Sequence, residues 1–378
     1  VFKWIGIAFL MGVATLLVLS HITPGIDAEL NPVLDEGLSV SAAAQAVHEG
    51  LYVADLHADM LLWDREHRAQ LDFGQTDLAR FAHGSVDLQI FSVVTASPKG
   101  QNFDANTIET GDQITTLALA QVWPLATLGS IRARAVHQAE RLHGLERAGE
   151  LTIVRTASDL DAAGLKGILL TEGAHPLEGK LSNIDHLYDV GFRVMGLQHF
   201  FDNKLGGSMH GQSQAGLTEF GREAVARMNA NGVIIDLAHS SEAVAWDVLA
   251  MSEAPVIVSH TGLRLACPGT ENRNLPDDVM AEIAQGGGLI GIAYFEGAIC
   301  DISADGIADT IVTAVELLGP DAVALGSDFD GTVATSLDTA QLARITQALI
   351  ARGIDEVVIA KVMGQNAERF FRQNLPDE

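Results

Sequence analysis

Basic residues are scarce in this chain: 23 Lys and Arg stand against 49 Asp and Glu in 378 residues, a formal charge of −26. No basic run with interleaved aromatics occurs. That argues against a nucleic-acid partner, because such proteins gather Lys and Arg on one face. Acidity of this size gives solubility and self-repulsion, and part of it can be carboxylates committed to metal ions. Cysteine is nearly absent. Cys267 and Cys300 are the two present, and they lack the spacing of a zinc knuckle. Alone they read either as buried thiols or, in an exported protein, as one disulfide. No G-x-G-x-x-G follows an early strand, so a dinucleotide fold has no support. There is no internal repeat of 20–50 residues and no low-complexity tract. Charged residues make up 19% against 48% apolar, which is the balance of a globular chain and not of a disordered one.

One long hydrophobic run is present. Lys3 precedes an uncharged stretch from Trp4 to Ser20, long for a signal-peptide core and slightly short for a membrane span. No clean small-x-small cleavage site and no lipoprotein cysteine follow it. Residues 1–24 read as an uncleaved signal-anchor, with a cleaved signal peptide as the second reading and a buried helix as the third. The first two place the remainder outside the cytosol, in the periplasm or on the outer face of the cytoplasmic membrane. Residues 25–40, with Pro32 and mixed polarity, read as a linker, and residues 41–378 as one domain.

Within that domain a short amphipathic helix runs from about Ser41 to His48. After it, eight short apolar runs each end abruptly in polar residues and lead into helix-like sequence. They are Tyr52–Ala54, Leu88–Val94, Gly167–Leu170, Arg193–Leu197, Val233–Ile235, Val256–Val258, Leu289–Ala293 and Ala322–Leu325. Runs apolar on both faces suit a buried parallel sheet. Eight of them alternating with helices predict an α/β fold, a (β/α)8 TIM-type barrel, with a doubly wound open sheet as the runner-up. Between Ala96 and Ala163 the connection is long enough for two or three helices, one broken near Pro124.

The strand ends carry the chemistry. Strand 1 runs into Asp55-Leu56-His57-Ala58-Asp59, where His57 and Asp59 share a face if the chain is extended. Later strands run into Glu172, His199, Asp236 with His239, His260, and the pair Asp328 and Asp330. In a barrel of this kind the active site lies at these C-terminal ends. Singly each residue has a bland explanation, a rim hydrogen bond or a helix-start carboxylate. Together, three histidines and two carboxylates at one mouth would be costly to bury without a purpose. Imidazole and carboxylate without thiolate suit zinc or another first-row divalent ion. Spacing does not choose between Asp328 and Asp330. His175 and His210 lie near the mouth with no assigned role, and Asp236 reads either as a support behind the metal-facing residues or as structural. His48, His67, His83, His137, His143 and His186 fall in helical or loop stretches and read as solvated.

The stretches DLHADMLLW, LTEGAHPL, GLTEFGREAVARMNANGVIIDLAHSS, APVIVSHTG, RNLPDDV, GSDFDG and KVMGQNAERFF together resemble the membrane dipeptidase (renal dipeptidase-like) zinc peptidases, within the amidohydrolase barrels. The resemblance runs from about Val53 to Phe371. It implies a zinc-dependent dipeptidase with two Zn²⁺, or other divalent ions, sharing one carboxylate. His57, Asp59 and Glu172 would hold one ion; Glu172, His239 and His260 the other. It implies that His199 meets the substrate carbonyl, that Arg273 holds the terminal carboxylate, and that Asp328 is the acid/base group. The nucleophile would be a hydroxide bridging the ions. Dipeptides of L-Xaa-L-Xaa type are the implied substrates, with L-Xaa-D-Xaa as a second class. It also implies a Cys267–Cys300 disulfide and a homodimer. Membrane contact would come through the N-terminal segment if that is uncleaved. Two departures bear on substrate preference: FSVVTASPKG stands where relatives often carry a tyrosine after the second strand, and Tyr294 is offset from the tyrosine that follows strand 7 in some of them. Alternatives are a related barrel hydrolase acting on a lactam, lactone or cyclic amide, a non-catalytic barrel, and a deaminase. A non-catalytic barrel predicts missing ligands, and all five are present.

Overall fold

The computed structural model describes residues 23–34, 37 and 39–377. Eight parallel strands form the barrel wall: β1 (Val53–Ala58), β2 (Val86–Val94), β4 (Lys166–Glu172), β5 (Phe192–Gly196), β6 (Ile234–Asp236), β7 (Ile257–Thr261), β8 (Leu289–Ile292) and β9 (Val323–Leu325). Each pairs with the next, β9 pairs with β1, and β2 pairs with β4 over seven residues to close the wall. The two-residue strand β3 (Thr152–Ile153) lies against the start of β4 outside this ring. It was not among the eight apolar runs, because two residues leave no periodicity to read.

All eight sequence runs lie on barrel strands, with ends shifted by a few residues, as is usual for boundaries read from pattern. Alternation explains which way each side chain faces. Leu88 and Ile90, Ile168 and Leu170, Val194, Ile234, Ile257, Leu289 and Ala324 pack together in the interior. Phe91, Val93, Leu169, Met195, Ile235, Val258, Ile290 and Leu325 belong to the outer layer beneath the helices. Continuing the inward set by two residues reaches Glu172, Asp236 and Ser259, so the strand period itself aims these groups into the mouth. The opposite end is closed by Phe370, Phe371 and Leu375 from the last helix, packed with Val154 and Leu160. Glycine permits one close approach: a Cβ on Gly291 or on Gly326 would stand 2.1 Å from the Ser259 carbonyl oxygen.

The helices follow their local signals. Glu219–Asn231 starts at Thr218, whose hydroxyl accepts from the Gly221 N–H, buries Val225 and Met228, and stops at Gly232 with φ 69°. Ala42–Glu49 starts at Ser41 in the same way. The long β2–β4 connection holds three helices, Gln113–Ala120, Ala126–Gly129 and Ile131–Arg147, with Pro124 between the first two.

Two expectations need correction. The stretch read as a linker from residue 25 is a helix over residues 23–30, and its Asp27 and Asn31 are 2% and 1% exposed. Mixed polarity there reflects buried ionic partners and not solvation. The histidines read as solvated divide: His83 and His186 are exposed, His137 and His143 are half-buried, and His48 and His67 are buried. His48 sits on the inner face of its helix, held by the Thr346 hydroxyl at 2.8 Å and the Gly84 carbonyl at 3.0 Å. The apolar run from Trp4 to Ser20 lies outside the described residues. Among the described residues no helix is long and apolar enough to cross a membrane.

Candidate active site

Seven of the predicted residues meet at the barrel mouth. Glu172, at the end of β4, is the centre. Its Oε1 lies 3.1 Å from His239 Nε2, 3.4 Å from His260 Nε2 and 3.7 Å from His57 Nε2. Asp59 Oδ1 lies 3.6 Å from His57 Nε2, and Asp328 Oδ1 lies 3.9 Å from the same nitrogen. His199 Nε2 stands 3.5 Å from Glu172 Oε2. All of these side chains are buried.

Three sets of donors come close enough to hold an ion: His57, Glu172 and His260; Glu172, His199 and His239; and His57, Asp59 and Asp328. Glu172 belongs to two of them, which is what a shared carboxylate requires. The donors are nitrogen and oxygen only, the set that suits zinc and other first-row divalent ions. His57 Nε2 and Asp59 Oδ1 are buried without a hydrogen-bond partner. His239 Nε2 and His260 Nε2 face each other at 2.9 Å. Orphaned and confronted lone pairs of this kind are costly unless something positive lies among them. The residues therefore fit a metal centre.

The backbone is strained where it turns into the mouth. His239 has φ 64° and Asp328 φ 62°. Non-glycine residues rarely adopt this left-handed region, and their presence at a site means the surroundings over-determine them.

Several supporting residues were invisible or unassigned in the sequence. The Ser259 hydroxyl donates to Asp236 Oδ2 at 2.6 Å and meets His57 Nδ1 at 3.0 Å and His260 Nδ1 at 2.9 Å. Asp236 also accepts from the Ala238 and Ser259 N–H groups. Asp55 accepts from the Ser327 N–H and hydroxyl, the His57 N–H and Gln89, and so joins β1 to β9. His210, left open by the sequence, places Nε2 2.9 Å from His239 Nδ1. Only the strand alternation around Ile257 could have pointed to Ser259. His175 instead stacks on Phe201 with ring centroids 4.4 Å apart, away from the cluster.

Electrostatics follow burial. Burial drives His239, His260 and His210 well below the usual imidazole range, helped by Arg273 and neighbouring histidines. It drives His199 down to about 4. These rings are neutral at pH 7, with lone pairs available. His57 goes the other way: burial opposes its charge, but Asp59, Asp328 and Asp236 together outweigh it and raise its pKa. Burial raises the Glu172 and Asp328 carboxyls.

A pocket of about 130 Å³ opens over the cluster. Asp59, Glu172, His199, His239, Arg273 and Asp328 reach it from the floor. Arg273 is 2% exposed. It donates to the His260 carbonyl at 3.1 Å, lies 5.2 Å over the Phe295 ring, and has a buried Nε with no partner. Tyr294 is wholly buried and packs on Phe329, so from this segment it is the neighbouring Phe295 that faces the pocket, alongside Phe103 and Phe200. Ser97, Gln101 and Gln113 form a hydrogen-bonded polar wall after β2, in the FSVVTASPKG region. Beyond the site, Cys267 and Cys300 are joined in a disulfide, fastening the segment that carries Arg273.

A closed β/α barrel with imidazoles and carboxylates converging at the C-terminal strand ends is an architecture suited to metal-dependent catalysis. The model of the membrane dipeptidase family, peptidase family M19, matches residues 41–376, and the chain belongs to that family. It is a hydrolase of the metal-dependent dipeptidase class. Among relatives, dipeptidase tcpJ of Claviceps purpurea is 28% identical over 310 residues, covering 79% of this chain and 69% of that protein. An uncharacterized protein in the pqqA 5' region of Klebsiella pneumoniae is 30% identical over 247 residues, 60% of this chain and 89% of that one. The probable dipeptidase PvdM of Pseudomonas aeruginosa has the same fold, with a TM-score of 0.72 at 20% identity over 88% of this chain and 98% of that one. So does a Rhodobacter sphaeroides metallopeptidase solved with a phosphinate mimic of L-Ala-D-Ala, with a TM-score of 0.66 at 24% identity over 86% and 99%.

Proposed function

We propose that this protein hydrolyses the amide bond of free dipeptides using two zinc ions. The observation that carries the reading is Glu172, one carboxylate shared by two sets of buried donors in a pocket that also contains an unsatisfied arginine. His57, Asp59 and Glu172 would hold one ion, and Glu172, His239 and His260 the other. When bound, such ions polarise a carbonyl and lower the pKa of water toward neutrality.

The chain's own residues do the rest. Arg273 offers a planar guanidinium to the substrate's terminal carboxylate, satisfying its orphaned Nε. A longer peptide has no carboxylate at that position. His199, neutral at pH 7, is held loosely at Nδ1 by the Ala96 carbonyl, 3.4 Å away. That contact needs the proton on Nδ1; in the other neutral tautomer the ring gives it up and Nε2–H donates to the scissile carbonyl oxygen, where such a donor contributes a few kcal/mol. Asp328 accepts a proton from the attacking water and returns it to the leaving amine. Its raised pKa brings the carboxyl nearer the operating pH, as that role demands. The ligand named for the Rhodobacter sphaeroides protein supports including dipeptides with a D-residue at the C-terminal position. The Cys267–Cys300 disulfide supports an exported, oxidising location.

Metal analysis of purified protein, followed by an L,L and L,D dipeptide library with lactams and lactones alongside, tests the reading. Dipeptide turnover abolished by chelation and restored by zinc is the expected result. A protein with no bound or activating metal would end it. Asp328→Asn should keep its metal and lose activity by roughly 10²- to 10⁴-fold, and a fully active variant would remove Asp328 from the acid/base role.

A further inference from the structure

One wall of the pocket is built by the loop after β9, with Gly331, Thr332 and Val333 facing the substrate space. Thr332 has φ 63°. A β-branched residue in the left-handed region is a true outlier and costs energy to hold there. Its side chain is exposed, so packing does not fix it. The N-terminal arm supplies the restraint. The Thr332 N–H donates to Asn31 Oδ1 at 2.8 Å, and Asn31 Nδ2 donates to Asp27 Oδ1 at 2.8 Å. The arm then runs beside the loop as a short parallel bridge, Val33 against Thr335, with Leu34 N–H on the Thr335 carbonyl at 2.7 Å and Thr335 N–H on the Pro32 carbonyl at 3.2 Å.

The arm is itself anchored. Arg65, from the loop after β1, reaches Asp27 at 3.4 Å and also pairs with Asp330. Asp330 further accepts from the Thr76 hydroxyl and from the Gln75 N–H at 2.8 Å. This network crosses the β1–β9 junction, where the strands themselves share a single paired position, Asp55 with Leu325. The N-terminal arm thus bolts a seam of the barrel with little strand pairing, at the point where the pocket wall begins.

We propose that Asn31 is a positioning residue for substrate binding. By accepting from the Thr332 N–H it holds the 331–333 wall in its strained conformation, so that residues 23–34 shape a pocket they do not line. The proposal rests on the dipeptidase reading for its kinetic readout. Asn31→Ala in the full chain should raise KM for a small dipeptide roughly five- to thirtyfold, the equivalent of left-handed strain at about tenfold per 1.4 kcal/mol. kcat should stay within about twofold, because the change removes binding common to ground and transition states. Metal content should be unchanged, and amide hydrogen exchange across residues 328–335 should quicken. Glycine adopts positive φ freely, so in a Thr332→Gly background the same Asn31→Ala change should move KM less than about twofold. Leu34→Pro, at a half-exposed position, removes the N–H to Thr335 and should shift KM and exchange in the same direction. It decides the matter if Asn31→Ala does not fold. Unchanged KM and exchange, or an equal loss in both backgrounds, would overturn the proposal. Exchange needs no substrate, so a wild-type protein that cleaves no dipeptide would refute the proposed function while leaving the arm testable.

Discussion

Removing the Ser259 hydroxyl should weaken metal binding far more than its size implies. A serine hydroxyl has one donor and two acceptor positions. Here the donor goes to Asp236 Oδ2, 2.6 Å away, leaving two lone pairs for His57 Nδ1 at 3.0 Å and His260 Nδ1 at 2.9 Å. One atom therefore sets the tautomer of two rings and turns both Nε2 lone pairs toward Glu172. In Ser259→Ala both Nδ1–H groups lose their acceptor in a site where His57 and His260 are 0% exposed. Each unsatisfied group costs about 1–3 kcal/mol when buried, and loss of a partner behind a metal-ligating histidine typically costs 10- to 100-fold in affinity. With two rings affected but able to relax, about 2–3 kcal/mol is expected, or roughly 30- to 150-fold weaker zinc binding. Competition against a chromogenic chelator measures this directly, and a thermal melt of the metal-free protein checks that the fold is retained. Affinity within threefold of wild type, with the fold intact, would show that the hydroxyl does not orient these ligands.

Arg273→Lys should raise KM for dipeptides by roughly 10- to 100-fold with a much smaller change in kcat, because a point charge replaces a bidentate fork; steady-state kinetics decide it. Replacing both Cys267 and Cys300 by Ser opens a loop spanning 33 residues, which chain entropy values at about 3–4 kcal/mol. Urea unfolding at matched metal content should show that loss. Acid should destabilise the protein partly through His67, whose burial, reinforced by Arg65, Arg141 and Arg68, lowers its pKa to about 3. The unfolded chain takes up that proton below about 6.5 while the folded one does not. Stability is therefore retained above pH 6.5 and lost as pH falls from there toward 3, at about 1.4 kcal/mol per pH unit for this one group. His67→Leu should flatten the unfolding free energy against pH by that slope between pH 6 and 4, and an unaltered slope would contradict it.

Eight apolar runs with polar ends favoured a barrel over an open sheet, because strands covered on both faces must be continuously apolar and must stop where the mouth begins. The same pattern located His57, Asp59, Glu172, His199, His239 and His260 at the strand ends, and the motifs added Arg273 and Asp328. What chain order could not carry is every relation between distant segments. Ser259 became the hinge of two imidazoles only once β1, β6 and β7 stood side by side. His48 and His67 look like surface residues until the helices and loops around them close. Asp27 and Asn31 look like linker because their partners, Arg65, Asp330 and Thr332, lie tens to hundreds of positions away. The sequence by itself determined the eight strands, their alternation with helices and the chemical identity of the mouth, since these depend on local periodicity and residue type; closure into a ring came from the β9–β1 and β2–β4 pairings. The tertiary structure decided which atoms share Glu172, which hydroxyl orients the imidazoles and which arm braces the pocket wall. Those are distances between remote parts of the chain, set by packing and by the need to satisfy every buried polar group.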